Sequence, residues 1–218
     1  MANKPILYYS QRSPPCRSVL LVAAELGLEL DLKAMNLIQR EHFTPEFLQK
    51  NPQHTIPCLE DNGTIIIDSH VISAYLVEKY GKDDKLYPKD EEKRRLVDTL
   101  LYFDASNVFS RIRFLYEPII YFGQKGFPQD KIDYIQKAYE PLENYLKANT
   151  YITGENLTIA DLCLLASVSS VSRTVPIDVE KFPKLHAWFD KLTKLPYYKE
   201  ANFVGAEMLQ DLVIEKSK

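Results

Sequence analysis

Residues 5–27 read PILYYSQRSPPCRSVLLVAAELG, in which a short apolar run is followed by a turn and a longer periodic segment. Residues 5–9 are apolar and aromatic, as is typical of a buried strand. After a turn rich in serine and proline, apolar side chains from Val19 to Leu26 fall on one helical face, and Gly27 ends the helix. The chain therefore opens as a strand followed by a helix.

The following segment continues this alternation of strands and helices. Residues 29–36 alternate as a second strand does, and Thr44-Pro45 predicts the start of a short helix. Two more strands flank Asn62-Gly63, a dipeptide that suits a type I′ hairpin because both of its residues need positive φ. A helix follows from Ser69. The predicted order over residues 1–81, β-α-β-α-β-β-α, is that of a thioredoxin-like α/β domain.

Strand patterns almost disappear after residue 81. Residues 82–90 are polar, contain Pro88 and lack periodicity, so we interpret them as a linker. We predict an all-α second domain over residues 91–218, in which residues 158–161 form a capping box with a structural role only. Its helical patterns cover residues 91–123, 129–147, 158–171, 182–195 and 198–213.

The composition narrows the classes of function. A formal net charge of −3 and the lack of a lysine and arginine cluster interleaved with aromatic residues argue against a nucleic-acid partner. No apolar run reaches the roughly 18 residues of a membrane span, and residues 1–5 lack the apolar core of a signal peptide, so we expect a cytoplasmic protein with no membrane partner. The spacing of Cys16, Cys58 and Cys163 fits neither a disulfide framework nor a zinc site, so we expect no metal.

Ser13-Pro14-Pro15-Cys16 stands between the first strand and the first helix, where a thioredoxin-like domain carries its nucleophilic cysteine. Backbone N–H groups and the helix dipole favour a thiolate at this place. Serine in the first position can donate a hydrogen bond to a sulfur brought by another molecule, but it cannot form a disulfide with Cys16. Ser13 is therefore a candidate for holding a thiolate, and the residues fit equally well the alternative that it only caps the helix.

Thr55-Ile56-Pro57 precedes the third strand. Proline cannot donate to a sheet ladder, so Pro57 should occupy the first position of that strand. A cis bond before Pro57, which a thioredoxin-like fold favours, would turn the backbone of Ile56 outward to pair with a peptide-like ligand. The alternative is an ordinary trans proline at a strand edge.

Asp68-Ser69-His70 begins the last helix of the first domain. The first N–H groups of that helix and the Ser69 hydroxyl could bind a carboxylate, while Asp68 receives an ammonium group. Together these groups match the end of an α-amino acid, although the same residues could simply cap the helix. His42 and His54 could bind a second carboxylate or be ordinary surface residues.

Taken together, these residues resemble the cytosolic glutathione transferase family, and the resemblance covers nearly the whole chain. The matching stretches look most like the insect epsilon class, close to the delta class. They are Ser13-Pro14-Pro15-Cys16-Arg17-Ser18-Val19, Asn51-Pro52-Gln53-His54-Thr55-Ile56-Pro57, Asp68-Ser69-His70 and Leu157-Thr158-Ile159-Ala160-Asp161.

The resemblance implies a role for each of these segments. Ser13 would activate the sulfur of glutathione, Ile56 would pair with its cysteinyl backbone, and the two histidines would face its glycine carboxylate. Asp68 and Ser69 would hold the γ-glutamyl end, although many epsilon members carry Glu where Asp68 stands, and the shorter side chain reaches the ammonium less directly. The whole implied glutathione site comprises His42, His54, Thr55, Ile56, Pro57, Asp68, Ser69 and His70.

We expect the hydrophobic electrophile to bind between the domains, against the long helix that begins the second one. Several side chains of that helix recur at spacings of three and four and can share one face. The alternative is an aromatic stripe that belongs to the core, with Arg113 and Glu117 as an exposed i,i+4 pair. The candidate electrophile site comprises Pro15, Phe109, Arg113, Tyr116, Glu117, Ile120 and Tyr121.

The sequence is therefore interpreted as that of a glutathione transferase with a catalytic Ser13, no cofactor besides the co-substrate glutathione, and the homodimeric state that the family implies. One rival is a protein that binds apolar ligands without turnover. Another is a thiol reductase that uses Cys16, which would normally need cysteine in place of Ser13. We also predict a helix bend between Arg113 and Pro118, because proline removes its own N–H and crowds the carbonyl four residues earlier.

Overall fold

The structure is a computed structural model that describes residues 4–218. A four-stranded sheet with three helices forms the first part of the chain, so the predicted thioredoxin-like element order is confirmed. The strands are β1 (Ile6–Tyr9), β2 (Asp31–Ala34), β3 (Cys58–Asp61) and β4 (Thr64–Ile67), and the helices are α1 (Pro14–Leu26), α2 (Pro45–Lys50) and α3 (Ser69–Tyr80).

The sheet has the strand order β2-β1-β3-β4. β1 pairs in parallel with β2, and α1 provides the crossover that a parallel pair requires. β3 runs antiparallel to both β1 and β4. Between β3 and β4, Asn62 has φ 48° and Gly63 has φ 81°, so both turn residues have the positive φ that the sequence predicted.

The second part of the chain is helical, as predicted. In residues 4–218, the only β-pairing after β4 is an isolated bridge between Tyr151 and Gly154. Within the same residues, no helix combines the length and apolarity that a membrane crossing needs. The helices are α4 (Glu91–Phe103), α5 (Ser110–Phe122), α6 (Gln129–Leu146), α7 (Ile159–Ser169), α8 (Pro183–Leu192) and α9 (Val204–Lys216).

The boundary between the two parts lies between α3 and α4. Residues 81–90 contain neither helix nor strand, and α4 begins with an N-cap at Asp90, whose carboxylate accepts a hydrogen bond from the N–H of Lys93. The division into residues 1–81, 82–90 and 91–218 stays a prediction.

A π-helical turn over Asp104–Phe109 separates α4 from α5, where the sequence pattern predicted one uninterrupted helix. Two serine hydroxyls bond to carbonyls four residues earlier, Ser106 to Tyr102 (2.7 Å) and Ser110 to Ser106 (2.5 Å). Such bonds compete with the backbone N–H groups of a regular helix. Asp104 is buried within this wider turn, and its carboxylate contacts His70 of α3.

Pro118 lies inside α5, and the helix continues to Phe122. Because Pro118 has no N–H, it cannot donate the usual helical hydrogen bond to the carbonyl of Phe114, four residues earlier. Lys131 of α6 donates its ammonium to this carbonyl at 3.0 Å, and the same ammonium lies 4.4 Å from the centre of the Phe114 ring. The predicted bend between Arg113 and Pro118 stays a prediction.

The two parts are joined through Arg17, which is fully buried in α1. Its guanidinium donates to the side-chain oxygen of Asn202 and to the hydroxyl of Ser170, both at 2.5 Å. Burial lowers the pKa of Arg17 to about 10, which still leaves it charged at neutral pH. Beside it, Gly205 lets α9 approach the chain so closely that an added Cβ would lie 2.0 Å from the carbonyl oxygen of Gln11.

Asp161 organises the start of α7. Its buried carboxylate accepts hydrogen bonds from the N–H of Ile152, the indole of Trp188, and both the N–H and hydroxyl of Thr158, at 2.8–3.0 Å. Burial raises the pKa of Asp161, and these hydrogen bonds oppose that rise. The contacts agree with the structural role that the capping-box pattern indicated.

Candidate active site

A cavity of about 530 Å³ opens between the sheet domain and helices α5 and α9. Its walls come from the turn before α1, the segment after β2, the face of α5 and the apolar side of α9. The lining residues are Ser10, Gln11, Arg12, Ser13, Pro14, Ala34, Met35, Asn36, Leu37, Ile38, Glu41, Phe109, Ile112, Arg113, Tyr116, Glu117, Ile120, Tyr121, Met208, Leu209 and Leu212.

Ser13 stands at the N-cap position of α1 and lines this cavity. Its hydroxyl makes no capping hydrogen bond. The local sequence contributes to this, because Pro15 at N2 carries no N–H, and N2 is one of the two donors that a capping side chain normally serves. The capping alternative is therefore not what the geometry favours, and the hydroxyl is available to a ligand at the positive end of the helix dipole.

Cys16 is fully buried in the first turn of α1 and is a free thiol. Burial raises the pKa of this thiol to about 11, although the Ser13 hydroxyl acts in the opposite direction. A thiol with such a pKa is protonated at neutral pH and makes a poor nucleophile. The geometry therefore disfavours the thiol reductase that the sequence left open.

The peptide bond between Ile56 and Pro57 is cis, as expected from a thioredoxin-like fold. Thr55 accepts hydrogen bonds from the Asn51 side chain at its carbonyl (2.8 Å) and its hydroxyl (3.1 Å). Within residues 4–218, no hydrogen bond engages the N–H or carbonyl of Ile56, which lies just before β3. Both polar groups of the Ile56 backbone are thus available for pairing with an extended ligand.

Asp68 caps α3, because its carboxylate accepts from the N–H groups of His70 (2.9 Å) and Val71 (3.3 Å). Its backbone has φ 71°, in the left-handed region, and its side chain is exposed. Ser69 is buried, and no hydrogen bond within residues 4–218 engages its hydroxyl. Asp68 therefore acts as the N-cap of α3, while its second carboxylate oxygen and the Ser69 hydroxyl remain without a hydrogen-bond partner among these residues.

His70 links this corner to the helical part of the chain. Its Nε2 lies 2.9 Å from a carboxylate oxygen of Asp104 in the π-helical turn, and its Nδ1 lies 3.6 Å from Asp68. Burial acts to lower the pKa of His70, but hydrogen bonds and charge attraction from the two aspartates outweigh it and raise the pKa to about 9. Because its ring is engaged on both sides, His70 holds Asp68 in place within this cluster.

His42 and His54 lie near each other, with ring centres 6.4 Å apart and Phe43 stacked on His54 at 4.5 Å. Burial, with the charges of His54 and Arg40, lowers the pKa of His42. Its buried Nδ1 has no partner among the described residues. No group of three or more His, Cys, Asp or Glu side chains in residues 4–218 could hold a metal ion.

The predicted face of the long helix does line the cavity, from Phe109 at the end of the π-helical turn to Tyr121. Arg113 and Glu117 form an ion pair at 2.6 Å across one turn, so these residues are both an i,i+4 pair and part of the wall. Tyr116 is almost fully buried and anchors its hydroxyl to the carbonyl of Ser170. It therefore belongs to the core and presents only part of its ring to the cavity.

The cavity does not contain every residue that the sequence suggested. Pro14 lines it, whereas Pro15 does not, and Pro15 instead accepts a hydrogen bond from the Ser18 hydroxyl at 2.7 Å. The predicted glutathione-binding residues are likewise absent from its lining. Their assignment, like that of the electrophile site, stays a prediction.

Sequence reasoning missed the contribution of α9 and of the segments after β1 and β2. Met208 and Leu212 are spaced four apart on one face of α9, a signal that could have been noticed. Arg12 and Ile38 gave no such signal, because they lie in irregular segments whose direction only the fold determines.

Known proteins match this chain along most of its length. The family described as "Glutathione S-transferase, N-terminal domain" matches residues 7–85, and "Glutathione S-transferase, C-terminal domain" matches residues 112–196. A protein named Glutathione S-transferase 1, from Manduca sexta, is 40% identical over 212 residues, which cover 96% of this chain and 97% of that protein.

Solved structures agree with these matches. An epsilon-class glutathione S-transferase from the housefly, Musca domestica, has a TM-score of 0.95 and 47% identity, with 98% of each chain covered. A glutathione transferase homologue from Drosophila mojavensis, solved with bound glutathione, has a TM-score of 0.95 and 48% identity, covering 99% of this chain and 98% of that one. The family inferred from the sequence is confirmed, and the chain belongs to the glutathione S-transferases.

Proposed function

We propose that the chain joins the sulfur of glutathione to the electrophilic carbon of small hydrophobic compounds, with Ser13 as the catalytic residue. The observation that carries this proposal is the uncapped Ser13 hydroxyl, which faces a cavity at the N-terminus of α1. Glutathione enters the proposal from the names of the relatives and from the bound glutathione of the Drosophila mojavensis homologue.

Ser13 acts on the ionisation of the glutathione thiol. A free thiol has a pKa of about 8.5, so only a few per cent is thiolate at pH 7. A hydrogen bond from the Ser13 hydroxyl, together with the helix dipole, favours the thiolate and lowers this pKa. The thiolate sulfur then attacks carbon, a C–S bond forms, the leaving group departs with its electron pair, and the thiol proton passes to solvent.

The rest of glutathione binds along the first domain. The unpaired N–H and carbonyl of Ile56 pair with its cysteinyl backbone, while Asp68 and Ser69 hold the ammonium and carboxylate of its γ-glutamyl end. His42 and His54 face the glycine carboxylate. The support for these roles is that the Ile56 backbone and the Ser69 hydroxyl make no hydrogen bond within residues 4–218, that one carboxylate oxygen of Asp68 is free, and that His42 Nδ1 has no partner among them.

The electrophile binds in the cavity beside the sulfur. Its walls combine apolar side chains of three segments, including Ile38, Ile120 and Leu212, with the polar pair Arg113 and Glu117. Such a mixture of apolar surface and a few polar groups is typical of small-molecule sites. We extend the proposal to a cytoplasmic homodimer that needs no metal or redox cofactor, following the properties that the family resemblance implied.

The proposal is tested by measuring turnover with glutathione across a panel of aryl halides, unsaturated aldehydes, organochlorines and hydroperoxides. We expect measurable conjugation with at least one class of electrophile. The rate of conjugation should fall about tenfold or more in Ser13→Ala, because one hydrogen bond to a charged group is removed. Binding of glutathione and of apolar ligands without turnover on the whole panel would instead identify a carrier protein.

A further inference from the structure

Arg12 occupies the turn between β1 and α1, directly before Ser13, and it lines the same cavity. Its side chain is half-buried and makes neither a hydrogen bond nor an ion pair within residues 4–218. The Nε atom of Arg12 is fully buried and has no acceptor. A buried donor without an acceptor is costly, and no group among the described residues compensates the guanidinium of Arg12.

The other charges that face the cavity are already engaged. Arg113 and Glu117 neutralise each other at 2.6 Å on α5. Glu41 accepts a hydrogen bond from the N–H of Asn36 at 2.6 Å and makes no ion pair with Arg12. Arg12 is therefore the one charged residue of this lining, within residues 4–218, that has neither a counter-ion nor a hydrogen-bond partner.

The surroundings strengthen the effect of this charge. Leu37, Ile38, Ile112 and Ile120 contribute apolar surface to the lining, which reduces the screening of a charge by water. Arginine presents planar donors that match the two oxygens of a carboxylate, and such pairs are stronger than neutral hydrogen bonds. An electrophile that carries a carboxylate would supply the acceptors that Arg12 lacks.

We propose that Arg12 is a specificity-determining residue, which makes this transferase prefer hydrophobic electrophiles that carry a carboxylate over their neutral counterparts. This inference rests on the proposed glutathione conjugation and adds the class of electrophile. Arg12 binds the carboxylate, and the effect of its charge on the thiolate is the same for carboxylated and neutral electrophiles. In the reaction the thiolate forms the C–S bond, halide leaves with the C–halogen electron pair, and the carboxylate is unchanged.

A matched pair of substrates tests the proposal, namely a chlorodinitrobenzoate and its methyl ester, each conjugated with glutathione. Arg12→Gln should lower kcat/KM for the benzoate about tenfold or more, with a much smaller effect on the ester, because one charge-assisted contact is lost. Arg12→Lys, which keeps the charge, should retain part of the preference. Arg95→Gln, which removes an exposed arginine outside the cavity, serves as the control and should leave the ratio of the two substrates unchanged.

Glu41→Gln provides an independent check with the opposite sign, since removal of a negative charge from the same wall should raise the ratio in favour of the benzoate. An Arg12→Gln protein that binds glutathione normally and keeps the parent's ratio of benzoate to ester would overturn the inference. So would a ratio that stays constant while the KM for glutathione rises, because Arg12 would then act on the co-substrate. A parent protein that conjugates other electrophiles but not the benzoate would also overturn the inference, whereas failure with every electrophile of the panel would contradict the proposed function instead.

Discussion

Gly205→Ala tests how tightly α9 controls the turn that carries Ser13. The added Cβ would lie 2.0 Å from the carbonyl oxygen of Gln11 and 2.7 Å from Cδ of Arg17, whereas real Cβ atoms essentially never come closer than 3.0 Å. Helix and turn must therefore separate by about 1 Å, since the Gln11 carbonyl is backbone and cannot rotate away. Overpacking of this kind costs about 1–3 kcal/mol. Better helix propensity returns up to about 1 kcal/mol.

We expect a net loss of about 1 kcal/mol in the free energy of unfolding, which lowers the Tm of a chain of this size by about 2–4 °C. Because a 1 Å misplacement in an active site can cost about a hundredfold in rate, kcat/KM for conjugation should also fall about tenfold or more. Urea unfolding and steady-state kinetics measure the two effects. Val204→Ala, at an exposed neighbouring position, is the control and should change stability by less than about 0.5 kcal/mol. A Gly205→Ala protein as stable and as active as the parent would refute this reasoning.

Three further predictions concern the corner of α3 and the long helix. The raised pKa of His70 means that its pairing with Asp104 stabilises the fold fully below pH 6.5 and loses this contribution as the pH rises through about 9. Asp104→Asn should remove about 2 kcal/mol of that pH-dependent stability, seen as a flatter plot of unfolding free energy against pH. Asp68→Ala and Ser69→Ala should mainly raise the KM for glutathione, and proteins that melt earlier but keep that KM would favour a purely structural role as caps. Pro118→Ala should alter the ratio of kcat/KM between a bulky and a small electrophile with little change in the KM for glutathione, and identical preferences would exclude a role of the proline in shaping the cavity.

Much of the fold is readable from local signals along the chain. Asn62-Gly63 specifies a hairpin because few other residues accept positive φ at two successive positions. Ser13 at a strand-to-helix turn and Ile56-Pro57 before a strand are likewise local patterns, and each lies where the pattern indicated.

The rest depends on contacts between distant residues, which periodicity does not reveal. Arg17 resembles an ordinary charged residue of α1, yet it is fully buried. Its hydrogen-bond acceptors, Asn202 and Ser170, lie far away in the sequence and are brought to it only by the fold. The π-helical turn that buries Asp104 has the same periodic pattern as a continuous helix. Arg12 could be recognised as a residue of the cavity only once the turn, α5 and α9 were placed around it.

The most direct test of the central claim is the pKa of the glutathione thiol bound to this protein, measured from thiolate ultraviolet absorbance as a function of pH. With the parent protein we expect a midpoint well below the free-thiol value of about 8.5. With Ser13→Ala, glutathione should still bind, while the midpoint returns toward that value. Turnover should fall about tenfold to a hundredfold, which corresponds to a loss of about 1.5–3 kcal/mol of transition-state stabilisation. Ser13→Thr, which keeps the hydroxyl, should retain part of the shift. An unchanged midpoint and unchanged turnover in Ser13→Ala would contradict the assignment of Ser13 as the residue that holds the thiolate.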